Sequence, residues 1–387
     1  MEYNETLQEE LVRLSDELEE QTLRLRHEIH QCPELSFQEF KTSQLVMREL
    51  DRIGIPYEKS PQEPGIIAVI DSGRPGKFLM LRADMDALPI QEKTELPFGS
   101  QVHGVMHACG HDVHAAVLFG ALARLAENPD FGGTVIGLFQ PGEECNPGGA
   151  SLVLAEKPFE GYDIAAVIGE HVEPQLEVGT LGFRAGQYMA ASDELRFRLH
   201  GTGGHGAMRA QLKDPVAAGA ELLTRLIALN GEECVLSIGR VEAAGATNIV
   251  PDEVCMEGTL RTFDERQREI IHRRIGIIAA DIDARHGIHT EVAVSRGYPC
   301  VVNDEILVKR AAALAKTLGL KVEMLPLRTT AEDFGFYCKI YPSLFYRLGV
   351  GSAAGRTHTA TFAPDERAID TGIDFMSRLA LQILNKL

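Results

Sequence analysis

The chain has 387 residues, 44% of them hydrophobic and 24% charged, the composition of a globular protein long enough for two domains. Its 38 basic and 56 acidic residues leave a formal charge of -18, which argues against polyanionic partners: no nucleic acid and no anionic membrane surface is expected. Seven scattered cysteines without a C-x-x-C pair, a start ("MEYNETLQEE") with no basic and apolar leader, and no run of the roughly 18 apolar residues that cross a bilayer predict free thiols in a reducing cytoplasm.

Leu7, Leu11, Leu14, Leu18, Leu25 and Ile29 recur mostly three or four apart and predict an amphipathic helix over 5–30. A second helix is expected over 37–53, closed by Gly54. Four short apolar runs follow, at 65–70, 78–84, 134–141 and 163–171, with helical patterns at 111–127 and 148–156. Continuous apolar runs alternating with helices predict an α/β layer built on a mostly parallel sheet. The pattern changes near 190. Segments 192–201, 233–243, 253–263 and 288–297 alternate polar with apolar residues, as half-exposed strands do. Helices 214–229 and 264–286 fall between them, opened by Asp214-Pro215 and Asp264. Strand, helix, strand, strand, helix, strand is the order of a ferredoxin-like α+β domain. The α/β character then returns with helix 304–318, a short helix at 331–338, strand 343–349 and a helix after Pro364. The expected layout is a discontinuous α/β domain, 1–188 and 299–387, interrupted by an inserted α+β domain, 189–298.

Three apolar runs end in acids or imidazoles: Asp84 and Asp86, Glu143 and Glu144, Glu170 and His171. In open α/β sheets ligands bind beyond the carboxyl ends of the strands, so these groups and the "MHACGHDVHAA" stretch (106–116) share one polar pocket. Cysteine, histidine and glutamate together suit a transition metal, whereas calcium or magnesium takes oxygen ligands. Cys109 and His111, two apart on a loop, can face one ion. Of the adjacent Glu143 and Glu144, one can bind metal while the other acts as general base; spacing does not say which.

These residues carry a family resemblance. The chain resembles the N-acyl-amino-acid amidohydrolases, dinuclear metallohydrolases of the aminoacylase and carboxypeptidase-G-like group that include hippurate and indoleacetyl-amino-acid hydrolases. The markers, in order, are "RHEIHQCPELSFQE" (26–39), "LRADMDALPI" (82–90) and "MHACGHDVHAA", then "FQPGEE" (139–144), "GEHV" (169–172) and "GTGGHGA" (201–207). "TNIVPDEV" (247–254), "GTLRTF" (258–263), "AEDFGFY" (331–337) and "THTATF" (357–362) complete them. The resemblance implies two divalent ions, zinc or manganese, with cobalt or nickel as further candidates. It implies five ligands: Cys109 as the bridge, Glu144 and His358 on one ion, His111 and His171 on the other. Asp86 then orients the site from behind the ligands, Asp84 does not ligate, and Glu143 is the general base. His205 is implied as a donor to the oxyanion, supplied by the partner subunit of a homodimer. Asn248 and Arg261 are implied to hold the substrate carboxylate. The implied substrates are N-acyl amino acids with acetyl, benzoyl or arylacetyl groups; a dipeptidase or carboxypeptidase is the alternative. "HGAMRA" (205–210), with Arg209 and Ala210 where the family has proline and histidine, and "THTATF" depart from the family pattern and bear on substrate choice.

The other histidines have plainer readings. His27 and His30 are expected to pack or to end the first helix, and His114 to help build the helix after the cluster. His103 and His107 flank the cluster with no assigned role, while His200, His272, His286 and His289 are expected at the surface.

Overall fold

The computed structural model describes residues 2–127 and 129–385, with side chains from Asp16 onward. In chain order the main elements are α1 (Glu2–Gln31), α2 (Phe40–Ile53), β1 (Tyr57–Lys59), β2 (Ile66–Asp71), β3 (Phe78–Asp84) and α3 (His111–Glu127). Next come β4 (Thr134–Gln140), α4 (Gly149–Ala155), β5 (Ile164–Glu173), β6 (Thr180–Phe183), β7 (Ala191–His200) and α5 (Pro215–Ile227). β8 (Cys234–Glu242), β9 (Glu253–Thr262), α6 (Glu265–His286) and β10 (His289–Arg296) follow. The chain closes with α7 (Glu305–Thr317), β11 (Lys321–Met324), β12 (Ser343–Gly349) and α8 (Arg367–Leu384). It divides into two compact units: Met1–Gly186 with Val302–Pro326 and Phe336–Leu387, and Gln187–Val301 with Leu327–Gly335.

The first unit is built on an eight-stranded sheet of order β1-β2-β4-β3-β5-β12-β6-β11. Its centre is parallel, β4 to β3 to β5 to β12, as expected of fully buried apolar strands. Antiparallel pairs occur at β1–β2, β2–β4 and β12–β6, so the sheet is mixed. β1, β6 and β11 escape the sequence reading because they have only three or four residues each. α3 is apolar on every side and almost wholly buried, packed against α1 and α8 and the sheet. Leu18, Leu25 and Ile29 of α1 enter this core; the side chains of Leu7, Leu11 and Leu14 lie outside the described residues.

Two local expectations need correction. The second helix starts at Phe40, not at 37, because Phe37 takes a left-handed backbone (φ 64°) that a helix excludes. The helix expected over 331–338 is a single turn, Gly335–Cys338.

The second unit has the ferredoxin-like strand order. Its sheet runs β8-β9-β7-β10, that is, second, third, first, fourth, with every pair antiparallel. α5 and α6 are capped by Asp214 and Asp264, whose carboxylates accept from backbone N–H groups two and three residues on. Leu195, Phe197, Leu199, Leu222, Leu260 and Ile275 are among its core residues. Among the described residues no helix is long and apolar enough to cross a membrane.

Candidate metal centre

β4, β3 and β5 are neighbours and parallel, so their carboxyl ends open on one edge. Asp84 ends β3 and Asp86 lies two residues beyond it. Glu143 and Glu144 follow β4, and His171 sits near the end of β5. His111 is the first residue of α3, and Cys109 precedes it on the entering loop. His358 reaches the same place from the loop before α8. Its backbone is left-handed (φ 61°), a strained state for a non-glycine residue, and its N–H donates to the Ala108 carbonyl (2.7 Å).

The five expected ligands converge on the sulfur. Cys109 Sγ lies 3.4 Å from His171 Nε2 and 3.3 Å from His358 Nε2. His358 Nε2 is also 3.3 Å from Glu144 Oε1, and His111 Nε2 is 3.9 Å from that oxygen. The donor atoms of Cys109, His111 and His171 all lie within 4.8 Å of one another, as do those of Cys109, Glu144 and His358. His111, Glu143 and Glu144 form a further group under the same limit.

Hydrogen bonds set which nitrogen of each ring faces the cluster. His171 Nδ1 donates to the Val172 carbonyl (2.7 Å), so its Nε2 presents a lone pair. His111 Nδ1 donates to Asp86 Oδ1 (3.2 Å), and its buried Nε2 has no hydrogen-bond partner. An imidazole fixed through one nitrogen and bare at the other is the arrangement of a metal ligand. Sulfur at about 2.3 Å and nitrogen at about 2.0 Å from one tetrahedral ion would stand about 3.5 Å apart, close to the separations observed. The residues present therefore fit a transition-metal pair.

The electrostatics agree. Burial opposes charge on His111, yet Asp84, Cys109 and Asp86 outweigh it and raise its pKa well above the ordinary value. Hydrogen bonds to Cys109 and Glu144 push His358 up to about 10. A field that draws a proton onto these rings draws a metal cation equally. His171 is held well below its ordinary value, by burial first and then by Arg347, so it stays a neutral donor.

Asp86 is the hub behind the ligands. Oδ1 accepts from His111 Nδ1 and from Glu143 N (3.1 Å), while Oδ2 accepts from Glu144 N (2.9 Å) and Ser36 Oγ (2.6 Å). Glu39 accepts from Gly142 N (2.7 Å), so two buried carboxylates hold three successive amides of the glutamate turn. Burial and the nearby Asp86 raise the Glu39 pKa to about 8. Two glycines admit these turns. Gly110 has φ 93°, and a Cβ there would lie 2.6 Å from Val172 Cγ2. Gly142 has φ 67°, and its Cβ would lie 2.4 Å from the Phe37 ring. Ser36 and Glu39 lie within the first family marker, yet the sequence reading assigned them no role; their tie to the site is a contact across 50 and 103 residues, which no local pattern reports.

The remaining histidines resolve. His27 stacks on Phe98 and pairs with Glu366, and His30 pairs with Asp112 and Glu92, so both pack α1. His103 is exposed on its loop. His107 is buried, and neither ring nitrogen has a hydrogen-bond partner. The surface reading fails for His272: it is partly buried and pairs with Asp193 (2.6 Å), which also binds Arg268. His286 is likewise partly buried, 2.9 Å from Glu221.

In the second unit His205 is exposed, and its Nδ1 accepts from Ala207 N (3.2 Å), which leaves Nε2 as the donor of a neutral ring. His205 pairs across a two-stranded ladder with Ile249, next to the exposed Asn248. Arg261 is half-buried on β9. Asp193, whose charge acts on Arg261, is already held by Arg268 and His272, and Arg261 makes no ion pair among the described residues. Burial lowers its pKa.

A family model, Peptidase family M20/M25/M40, matches residues 80–382. The chain belongs to this family. It is accordingly a hydrolase of the M20 metal-dependent amidohydrolase and peptidase class. It is 36% identical over 375 residues to an N-acetyl-L-cysteine deacetylase of Bacillus subtilis, covering 95% of this chain and 89% of that one. It is 32% identical over 384 residues to thermostable carboxypeptidase 1 of Saccharolobus solfataricus, with 96% and 97% covered. Among solved structures, a dinuclear metal-binding M20 peptidase of Bacillus subtilis superposes with a TM-score of 0.87 at 33% identity, covering 96% of this chain and 100% of that one. That likeness extends to the mixed, mostly parallel sheet with its small antiparallel insert.

Proposed function

We propose that this M20 protein hydrolyses the amide bond of N-acyl amino acids, with two divalent ions held on Cys109. The observation that carries the reading is the pair of donor triads that share one sulfur: Cys109 with His111 and His171, and Cys109 with Glu144 and His358. Sulfur and nitrogen donors favour zinc; manganese, cobalt or nickel are compatible. When bound, such ions supply Lewis acidity toward a water and toward the scissile carbonyl. Glu143 then takes the proton of the attacking water and passes it to the departing amine. Its backbone is fixed for this by Asp86.

The second unit contributes recognition in this reading. His205 Nε2 donates to the carbonyl oxygen as negative charge develops, acting across the interface of a homodimer. Asn248 and Arg261 hold the α-carboxylate; a desolvated guanidinium without an acid of its own suits that anion. The deacetylase relative supports an N-acetyl amino acid as substrate; benzoyl and arylacetyl groups are further candidates in this reading. The protein works in the cytoplasm in this reading, where the reducing environment keeps Cys109 from oxidising.

A second reading keeps the chemistry and changes the substrate to short peptides, as the carboxypeptidase relative suggests. A hydrolysis screen over N-acyl amino acids and dipeptides, with zinc or manganese loaded, separates the two. N-acyl amino acids are expected to turn over without a free α-amine. Turnover confined to substrates with a free amine would replace the first reading by the second.

A further inference from the structure

Asp84, His111 and His114 form another compact group of donor atoms at the site edge. The hydrogen bonds show that it is not a third metal triad. Val172 N–H donates to His114 Nε2 (2.9 Å), so that nitrogen is an acceptor. His114 Nδ1 therefore carries the ring hydrogen and donates it to Asp84 Oδ1 (2.6 Å). Neither nitrogen has a lone pair to give to a cation. Asp84 is committed as well, since its Oδ2 accepts from the buried Arg82 (2.6 Å).

The same bonds continue toward the sulfur. The ladder between β3 and β5 ends at Gly169, while β5 runs on to Glu173. Past that point the His114 ring occupies the place of a neighbouring strand for the Val172 amide. The Val172 carbonyl in turn accepts from His171 Nδ1 (2.7 Å). Asp84, His114, the Val172 backbone and His171 thus form one run of contacts, in which Asp84 fixes the His114 tautomer, His114 holds the Val172 N–H, and the Val172 carbonyl, on the next peptide group, fixes the His171 tautomer. It ends on a lone pair 3.4 Å from Cys109 Sγ.

We infer that His114 is a positioning residue for the metal centre: by holding the Val172 N–H it fixes the backbone that carries both His171 and the carbonyl that sets its tautomer, and so fixes the orientation of His171. The inference rests on the proposed role of His171 as a metal ligand. His114 touches neither ion nor substrate. An imidazole suits this place because it both donates to Asp84 and accepts from Val172, roles that lie on its two nitrogens.

Two measurements test this. Long-range proton–nitrogen correlation spectra of the metal-free wild-type protein, with His114 assigned through His114→Gln, read the tautomers directly. Both His114 and His171 are expected as Nδ1–H forms; an Nε2–H or doubly protonated His114 overturns the inference, whatever the metal does. Zinc affinity, measured against a chromophoric chelator, is expected to fall ten- to a hundredfold in His114→Phe, the usual effect of removing a partner behind a ligand. It should recover in part in His114→Gln, whose carbonyl can again accept from Val172. Affinity within twofold of wild type in His114→Phe overturns the inference. Failure of the wild-type protein to bind zinc would instead count against the proposed metal centre.

Discussion

Asp86→Asn should separate the hub from the ligands it orients. The carboxylate accepts four donors, two on each oxygen: His111 Nδ1 and Glu143 N on one, Glu144 N and Ser36 Oγ on the other. An asparagine offers one oxygen and one NH2 group, so two buried donors must face a donor. Hydrogen bonds to a charged group contribute about 1.5–3 kcal/mol each, so the loss at this position is about 3–6 kcal/mol. Part of that cost falls on metal binding, because His111 loses the partner that fixes its tautomer. Affinity should drop ten- to a hundredfold, about 1.4–2.8 kcal/mol. The remainder should appear as lower stability of the metal-free protein, since Asp86 is buried with or without ions. Zinc competition and urea unfolding of the metal-free protein, run on the same preparation, divide the two. If Asp86→Asn binds zinc and unfolds as the wild type does, the hub does not orient the ligands and the reasoning fails.

Other outcomes follow from single contacts. Gly110→Ala forces a Cβ to 2.6 Å from Val172 Cγ2 at a left-handed backbone, which should cost about 1–3 kcal/mol in urea unfolding and weaken zinc binding. Arg261→Ala should raise KM for an N-acyl amino acid by about ten- to a hundredfold, the scale of a lost charged hydrogen bond, and His205→Ala should lower kcat by about 100- to 1000-fold. For His30, burial opposes the charge, but Asp112 and Glu92 outweigh it and raise the pKa to about 9. A raised value stabilises the folded state fully below the unfolded value of about 6.5 and loses that contribution as pH rises through about 9. His30→Gln should therefore be less stable than wild type at pH 6, with the difference shrinking by pH 9.5; a constant difference would exclude the charged pair.

Much of the centre is legible in the chain because its ligands follow buried strands. An apolar run that stops in "ADMD", "GEE" or "GEH" marks both a core strand and its polar exit, and parallel neighbours bring those exits together. Cys109 and His111 are readable for the same reason, as polar residues opening an apolar helix. The supports are not legible. Ser36 and Glu39 flank the left-handed Phe37 of an irregular turn that has no sequence signature. The link from Asp84 through His114 to His171 joins three elements by hydrogen bonds to a ring and to the Val172 backbone, which only the folded contacts reveal. In the second unit the alternating strands gave away the ferredoxin-like order, whereas the burial of His272 on α6 depends on Asp193 of β7, 79 residues away. β6 and β11 are too short for periodicity to separate them from loop.

The central claim, hydrolysis with Glu143 as general base, is tested most directly by Glu143→Ala with bound metal counted on the same sample. The account predicts close to two ions per chain retained, and turnover of an N-acyl amino acid lower by about 100- to 10,000-fold, the usual contribution of a positioned base. Near-normal turnover with the metal still bound would contradict it.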